Sequence, residues 1–407
     1  MFMDSPTLPP IKQELSPLKK WMIKVKQMSV RPGYREQLAP STFMFDIITD
    51  SPSFKKYQRF AVKHGLVRDV CNLSSMEDLS KITEETYLNV VQKSPLWLHL
   101  RNIAAGTASS VGKCIKGPPC FPTIEQISDA WRDKINHAPF VAEHTTRGHM
   151  KWGVGYEDPA LIHFACANML SVAQVGTVNL PMSYIMEVAK EYLTKEDYQT
   201  VLQAYNLLPS SGKEDHFLVS PDGVVGEPDK SEWKEDQLPR KLVGMLEIKC
   251  ISPFHHVETE DDCLTWVSDM EKRQWHKPKE IPYVYLTQIC MQSISGLMRL
   301  KMDGESTMWF MRWSPIGFSE FKIKFEPLIR MGVVSTLLFL MLKYRIKSEA
   351  DLPLEYTSYE MPVVRLLHKY YEVIMKDMTH RYVNHAGLYP EFKVYQHVTE
   401  YFKFTVD

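Results

Sequence analysis

Apolar positions recur along this chain with two different periods. Ser53–Lys63 and Met76–Gln92 carry them at helical spacing with polar faces between, which predicts a helical N-terminal layer without evident chemistry. A third helix is expected from Pro95, with Trp97 and Arg101 on one face. Gly106 then ends it, and Thr107, Ser109 and Ser110 open the next helix. Residues 122–137 read as a further helix. Glu157-Asp158-Pro159 reads as a helix start, because proline fits the first turn, and the helix runs on apolar through Leu170. Trp152 and His163 read as core residues. Residues 182–206 form a helical pair. The segment 281–297 is helical, with Tyr285, Gln288 and Gln292 along one face. Residues 328–348 and 359–381 are expected as helices. Met331–Leu342 is too short a run to span a bilayer and lies between Arg330 and Lys343, so it reads as a core helix. The end, 391–407, alternates like a docking strand or tail.

The shorter period appears in the middle of the chain. Phe217–Val225 and Leu242–Cys250 are rich in Val, Leu and Ile and bounded by turn residues, which predicts two strands. Met308–Ser314 and Phe321–Glu326 extend the sheet. In the second central strand Glu247 and Lys249 are two apart and point to one face. Ser220-Pro221-Asp222-Gly223 places an acidic side chain on a turn beside that strand. Any one of these residues alone reads as a surface charge. Together they read as a divalent-metal site, with hard carboxylate oxygens and a lysine able to hold or activate a water. Between the strands, Gly226–Arg240 is a charged excursion, long for a hairpin loop, and reads as a solvated insertion.

Composition narrows the class. Charged residues are 24% and hydrophobic ones 44%, as in ordinary globular proteins, and 407 residues allow a large core. The formal net charge of -1 means that any nucleic-acid contact must come from a local basic patch. Cysteines at 71, 114, 120, 166, 250, 263 and 290 form no C-x-x-C pair, which argues against a zinc ribbon or iron–sulfur staple and for a reducing compartment. His255-His256 is weak evidence for zinc. No G-x-x-x-x-G-K-[ST] occurs, which argues against a P-loop motor. Lys19–Lys26 is a basic segment that reads as a nucleic-acid arm, a nuclear-import signal or a solvated tail. No signal peptide opens the sequence, so an intracellular location is expected, with the host nucleus ahead of the cytoplasm if the protein is viral.

Taken in order, five segments resemble the lambda exonuclease/YqaJ-type viral recombinase family within the PD-(D/E)XK nucleases. They are W-x-x-x-R with T-A-S (Trp97, Arg101, Thr107–Ser109), G-x-x-x-E-x-x-A (Gly153, Glu157, Ala160), S-P-D-G (Ser220–Gly223), E-I-K-C (Glu247–Cys250) and Y-x-x-Q (Tyr285, Gln288). The size and flanks look like the alkaline exonucleases of large eukaryotic DNA viruses, the baculovirus type among them. The resemblance implies an α/β restriction-endonuclease-like core, a central mixed β-sheet flanked by helices with helical additions at both ends. The resemblance covers roughly residues 90–300, within a nuclease core expected over 94–330; composition and periodicity give a basic, proline-rich, flexible segment over 1–40, an accessory helical region over 41–93 and a helical region over 331–407.

The resemblance further implies Mg²⁺, replaceable by Mn²⁺ and present as two ions. Asp222, Glu247 and the carbonyl of Ile248 would be ligands, and Glu157 would support the second ion or its water shell. Lys249 would orient or activate the attacking water, and Gln288 would position Lys249. Arg101, Ser109 and Ser220 would bind a terminal 5′ phosphate. The implied reaction is 5′→3′ digestion of double-stranded DNA, leaving 3′ tails for a single-strand annealing protein. A structure-specific endonuclease or a nuclease that also cuts RNA is the alternative, and a non-catalytic nucleic-acid scaffold the remote one. No membrane is implied, and homo-oligomerisation stays open.

Overall fold

The computed structural model describes residues 52–115, 148–228, 234, 236–250, 280–314, 317–347 and 354–384. The expected helix at 122–137, the basic segment 19–26, the His255-His256 pair and the tail 391–407 lie outside the described residues.

The described chain runs α1 (Pro52–Lys63), β1 (Val67–Asp69), α2 (Pro95–Ile103), β2 (Gly106–Thr107), α3 (Ala108–Cys114), α4 (Gly148–Asn168), β3 (Ser171–Gln174) and β4 (Val178–Pro181). It continues with α5 (Met182–Tyr192), α6 (Lys195–Asn206), β5 (His216–Val219), β6 (Gly223–Gly226), β7 (Leu242–Cys250) and α7 (Tyr283–Leu300). Then follow β8 (Thr307–Ser314), β9 (Gly317–Lys324), α8 (Phe325–Lys347), α9 (Leu354–Asp377) and β10 (Thr379–Asn384). A 7-stranded sheet has the order β1-β3-β6-β7-β8-β9-β10, and a 3-stranded sheet the order β2-β5-β4. The large sheet is mixed: β7 pairs antiparallel with β6 and parallel with β8.

Alternation along β7 and β8 divides the core in two. Met245, Met308 and Phe310 turn to a cluster shared with α5, α7 and α8. Leu246, Ile248, Trp309, Met311 and Trp313 turn to the opposite cluster, shared with α1 and α4. A mixed sheet covered by helices on both faces is the restriction-endonuclease-like core expected from the sequence. α7 lies in the middle of one helical layer. Gly112 of α3 permits its closest approach, because a Cβ there would stand 2.2 Å from the Val284 carbonyl oxygen.

α8 is long and apolar enough to cross a membrane by composition, but 89% of its Phe325–Tyr344 window is buried inside the fold. It is the core helix read from Met331–Leu342, and it runs unbroken across residue 330, where the sequence reading ends the nuclease core. At the far edge of the sheet, Glu320 of β9 is fully buried. It accepts from Arg381 Nε of β10 at 2.8 Å and from Asn168 Nδ2 at the end of α4 at 2.7 Å. His163 is buried too, and its Nδ1 accepts from Trp313 Nε1 at 2.9 Å, a core role as expected.

Four local expectations change. Met76–Gln92 is not one helix but two 3₁₀ turns, Met76–Lys81 and Thr86–Asn89. The Asp78 carboxylate accepts from the Ser74 and Ser75 backbone N–H groups, and Thr83 and Thr86 bond each other's backbone N–H, so side chains compete with an α-helical ladder. Glu157-Asp158-Pro159 lies inside α4 rather than at its start. There Pro159 forgoes one backbone hydrogen bond within an otherwise continuous helix. Phe217–Val225 divides into β5 and β6, which belong to different sheets. The helix expected over 359–381 ends at Asp377, and Thr379 begins an edge strand against β9.

Candidate active site

The chain leaves the small sheet at Val219 and enters the large one at Gly223, so Ser220-Pro221-Asp222 is the crossing. Gln92 fixes it from outside: its Nε2 donates to the Pro221 carbonyl at 2.9 Å and to the Val175 carbonyl at 2.9 Å. Gly223 pairs with Leu246, which brings Asp222 beside Glu247 at the end of the ladder. Asp222 Oδ2 accepts from the Ile248 N–H at 2.6 Å. Burial, then the charges of Glu247 and Glu157, push the Asp222 carboxyl well above the usual range, against the pull of Lys249 and the Ile248 N–H.

Glu247 is fully buried, and side-chain donors meet both of its oxygens. Oε1 accepts from Lys249 Nζ and from Gln288 Nε2, the latter at 2.7 Å. Oε2 accepts from Gln292 Nε2 at 2.6 Å. The same Gln292 nitrogen reaches the Ser220 carbonyl at 3.3 Å, and its Oε1 is buried without a partner. Gln288 therefore bonds Glu247 and meets Lys249, which it was expected to position, through their shared acceptor oxygen. Burial alone would favour neutral Lys249, but Glu247 and Asp222 outweigh it and keep the ammonium charged, with its affinity for the proton above the usual lysine range. Lys249 Nζ stands 5.3 Å from the Tyr285 ring centre.

Glu157 projects from the middle of α4, and its Oε2 accepts from Lys93 Nζ at 2.5 Å. Lys93 has a backbone φ of 67°, a conformation that costs a non-glycine residue energy and that turns the chain just before the Ser94 cap of α2. Burial and the charges of Glu157 and Asp222 push the Cys250 thiol far up, so it stays neutral and is no nucleophile.

Beside the carboxylates lies a second cluster. Ser94 caps α2 and Thr107 caps α3, which sets Arg101 against the start of α3. The Arg101 guanidinium sits 4.2 Å over the Trp97 ring, and its Nη2 reaches Thr107 Oγ1 and Ser109 Oγ, each at 3.4 Å. Trp97 Nε1 donates to Ser220 Oγ at 3.0 Å, which joins the cluster to the Asp222 turn. Burial lowers the Arg101 pKa to about 10, still charged at neutral pH. Among the described residues no carboxylate pairs with Arg101. A desolvated guanidinium facing hydroxyls is suited to a phosphate.

Among the described residues no three His, Cys, Asp or Glu side chains form a metal cage. Asp222 and Glu247 alone would offer two carboxylates to an ion completed by water and phosphate oxygens, the way Mg²⁺ is commonly held. Glu247 and Glu157 place negative charge around the buried Asp222 that a cation would relieve, and no hydrogen bond reaches Asp222 Oδ1 among the described residues. The residues fit a divalent ion. Such an ion would supply charge stabilisation at the attacking and leaving oxygens.

The structure thus brings together Arg101, Ser109, Ser220, Asp222, Glu247, Ile248, Lys249 and Gln288, with Glu157 at the rim on Lys93. Sequence reasoning passed over Gln92 and Lys93, in a segment read as chemically silent, and did not select Gln292. The signal for Gln292 was present, since it lies four residues after Gln288 on the same helix face.

A mixed sheet with a carboxylate turn opposite a Glu-x-Lys strand, and an anion pocket alongside, defines a nuclease core. Residues 96–296, just under half of the chain, match the family model of the YqaJ-like viral recombinase domain. The match runs from α2 to α7 and contains every site residue named above except Gln92 and Lys93. The family implies a nuclease role in recombination with DNA as substrate, and it is generally divalent-metal dependent. Curated proteins and solved structures give no significant match.

Proposed function

We propose that this protein is a Mg²⁺-dependent 5′→3′ exonuclease of the alkaline exonuclease type, which resects double-stranded DNA ends and leaves 3′ single-stranded tails. The observation that carries this reading is the shared turn at Ser220. Its hydroxyl accepts from Trp97 and its carbonyl from Gln292, so the anion pocket and Glu247 are tied to one short crossing. A terminal phosphate held by Arg101, Ser109 and Ser220 would set the first phosphodiester against Asp222 and Glu247. Lys249, held charged, would steady the charge that grows on the pentacovalent phosphorus and orient the water beside it. Glu157 would support the water shell of a second ion. The tails would pass to a single-strand annealing protein, with the host nucleus as the place of action.

The test uses purified protein, Mg²⁺ or Mn²⁺, and linear duplexes carrying a 5′ phosphate or a 5′ hydroxyl, with a closed circle as control. Mononucleotides released from 5′ ends, faster with the phosphate and absent from the circle, are expected. Asp222→Ala and Glu247→Ala are expected to abolish release while duplex binding survives. Nicking of the circle would replace this reading with the endonuclease, and full activity in either variant would remove the site.

A further inference from the structure

The parallel ladder of β7 and β8 sets Lys249 directly beside Arg312. Paired residues of adjacent strands project to the same face, with Cα positions about 4.8 Å apart. Arg312 therefore stands on the face of Glu247 and Lys249, one strand further from Asp222. It is half-buried, and its Nε is fully buried without a hydrogen-bond partner. It feels the Tyr285 hydroxyl, the same ring that Lys249 approaches. A guanidinium desolvated to this degree ordinarily meets a carboxylate or a phosphate. Among the described residues no carboxylate pairs with it, and the rest of its row across the sheet, Ser319 of β9 and then Tyr382 of β10, is uncharged. Arg312 lies outside the segment that matches the family model.

The order of groups across the sheet then has a direction. The Arg101 pocket joins the Ser220 turn on the β6 side, Glu247 and Lys249 occupy β7, and Arg312 follows on β8. We infer that Arg312 binds a backbone phosphate of the strand being cut, at a linkage just 3′ of the scissile one, so that the strand is held on both sides of the carboxylates. This inference deepens the proposed exonuclease and rests on its placing of the scissile bond at Asp222 and Glu247. In this role Arg312 is a substrate-binding residue that registers the strand.

The experiment measures duplex binding by fluorescence anisotropy, in Ca²⁺ so that no turnover intervenes. It uses the full chain, Arg312→Ala and Arg312→Lys. The substrates carry a single neutral methylphosphonate at successive linkages from the 5′ end. In the native protein one linkage, 3′ of the first, is expected to weaken binding about tenfold when neutralised. In Arg312→Ala that linkage should become silent, the overall affinity should fall by a similar factor, and the salt slope should drop by about 1. Arg312→Lys should restore part of the affinity, and the preference for a 5′ phosphate should persist in both variants. An Arg312→Ala scan identical to the native one overturns the inference, even if the native protein cleaves as proposed. If instead the native protein shows no cleavage with Mg²⁺ but the Arg312-dependent linkage is present, the phosphate site stands and the exonuclease reading falls. Should Arg312→Ala fail to fold, Arg312→Gln takes its place in the same scan.

Discussion

Asp222→Asn is expected to stabilise the metal-free protein while removing its activity. Burial first, and then the charges of Glu247 and Glu157, raise the proton affinity of Asp222 against the pull of Lys249 and the Ile248 N–H. At about 5 Å and an effective dielectric constant of about 20, one such repulsion amounts to about 3 kcal/mol. The attraction of Lys249 cancels much of this, which leaves a relief of about 1 kcal/mol. Asparagine keeps an oxygen for the Ile248 N–H, so that hydrogen bond survives the change. The pH dependence has a definite sign. An acid raised in the folded state holds a proton that the unfolded chain has already released, so stability falls as pH rises from the ordinary aspartate value through the raised one. The variant should lose that part of the slope. Thermal unfolding in EDTA across this pH range, with and without added Mg²⁺, reads all of this. The native protein should gain stability with Mg²⁺ and the variant should gain much less, while its cleavage rate falls ~100–1,000-fold. A variant that is less stable than the native protein in EDTA at neutral pH, or that keeps the full Mg²⁺ response, would refute the charge-repulsion argument.

Other substitutions test separate parts of the site. Gln292→Leu strips Glu247 Oε2 of its donor within the core and should cost about 1–3 kcal/mol in urea unfolding, with a lowered kcat as well. Arg101→Lys loses the planar fork over Trp97; kcat/KM on 5′-phosphorylated ends should fall about tenfold, with 5′-hydroxyl ends little changed in the same assay. Gly112→Ala forces α3 away from the Val284 carbonyl, and thermal unfolding should show a loss of about 1–3 kcal/mol.

What the sequence made legible follows physical range. Glu247 and Lys249 share a strand, so their common face follows from a period of two and needs no tertiary knowledge. Trp97 and Arg101 share a helix turn in the same way. Lys93 and Glu157 are far apart in sequence, and only the fold joins them. Gln92 reads as a polar residue in an amphipathic segment, and its support of the Pro221 carbonyl is a tertiary contact. The helix expected over 76–92 failed because Asp78 and Thr86 spend their side chains on nearby backbone groups, an effect that apolar spacing does not register. The helix start expected at Pro159 failed because a proline is favoured at a first turn but not confined to it.

The buried Glu320 clamp bears on how the protein is made. Its partners are Lys322 two residues on, Asn168, behind it in the chain, and Arg381, some sixty residues ahead. Until Arg381 is synthesised, Glu320 lacks the guanidinium that meets both of its oxygens and has only Lys322 and Asn168 beside it. Glu247 belongs to the same sheet, and it and Asp222 are synthesised more than a hundred residues earlier than Arg381. A nascent chain therefore carries both candidate carboxylates well before it can add the edge strand β10 to the sheet that holds them.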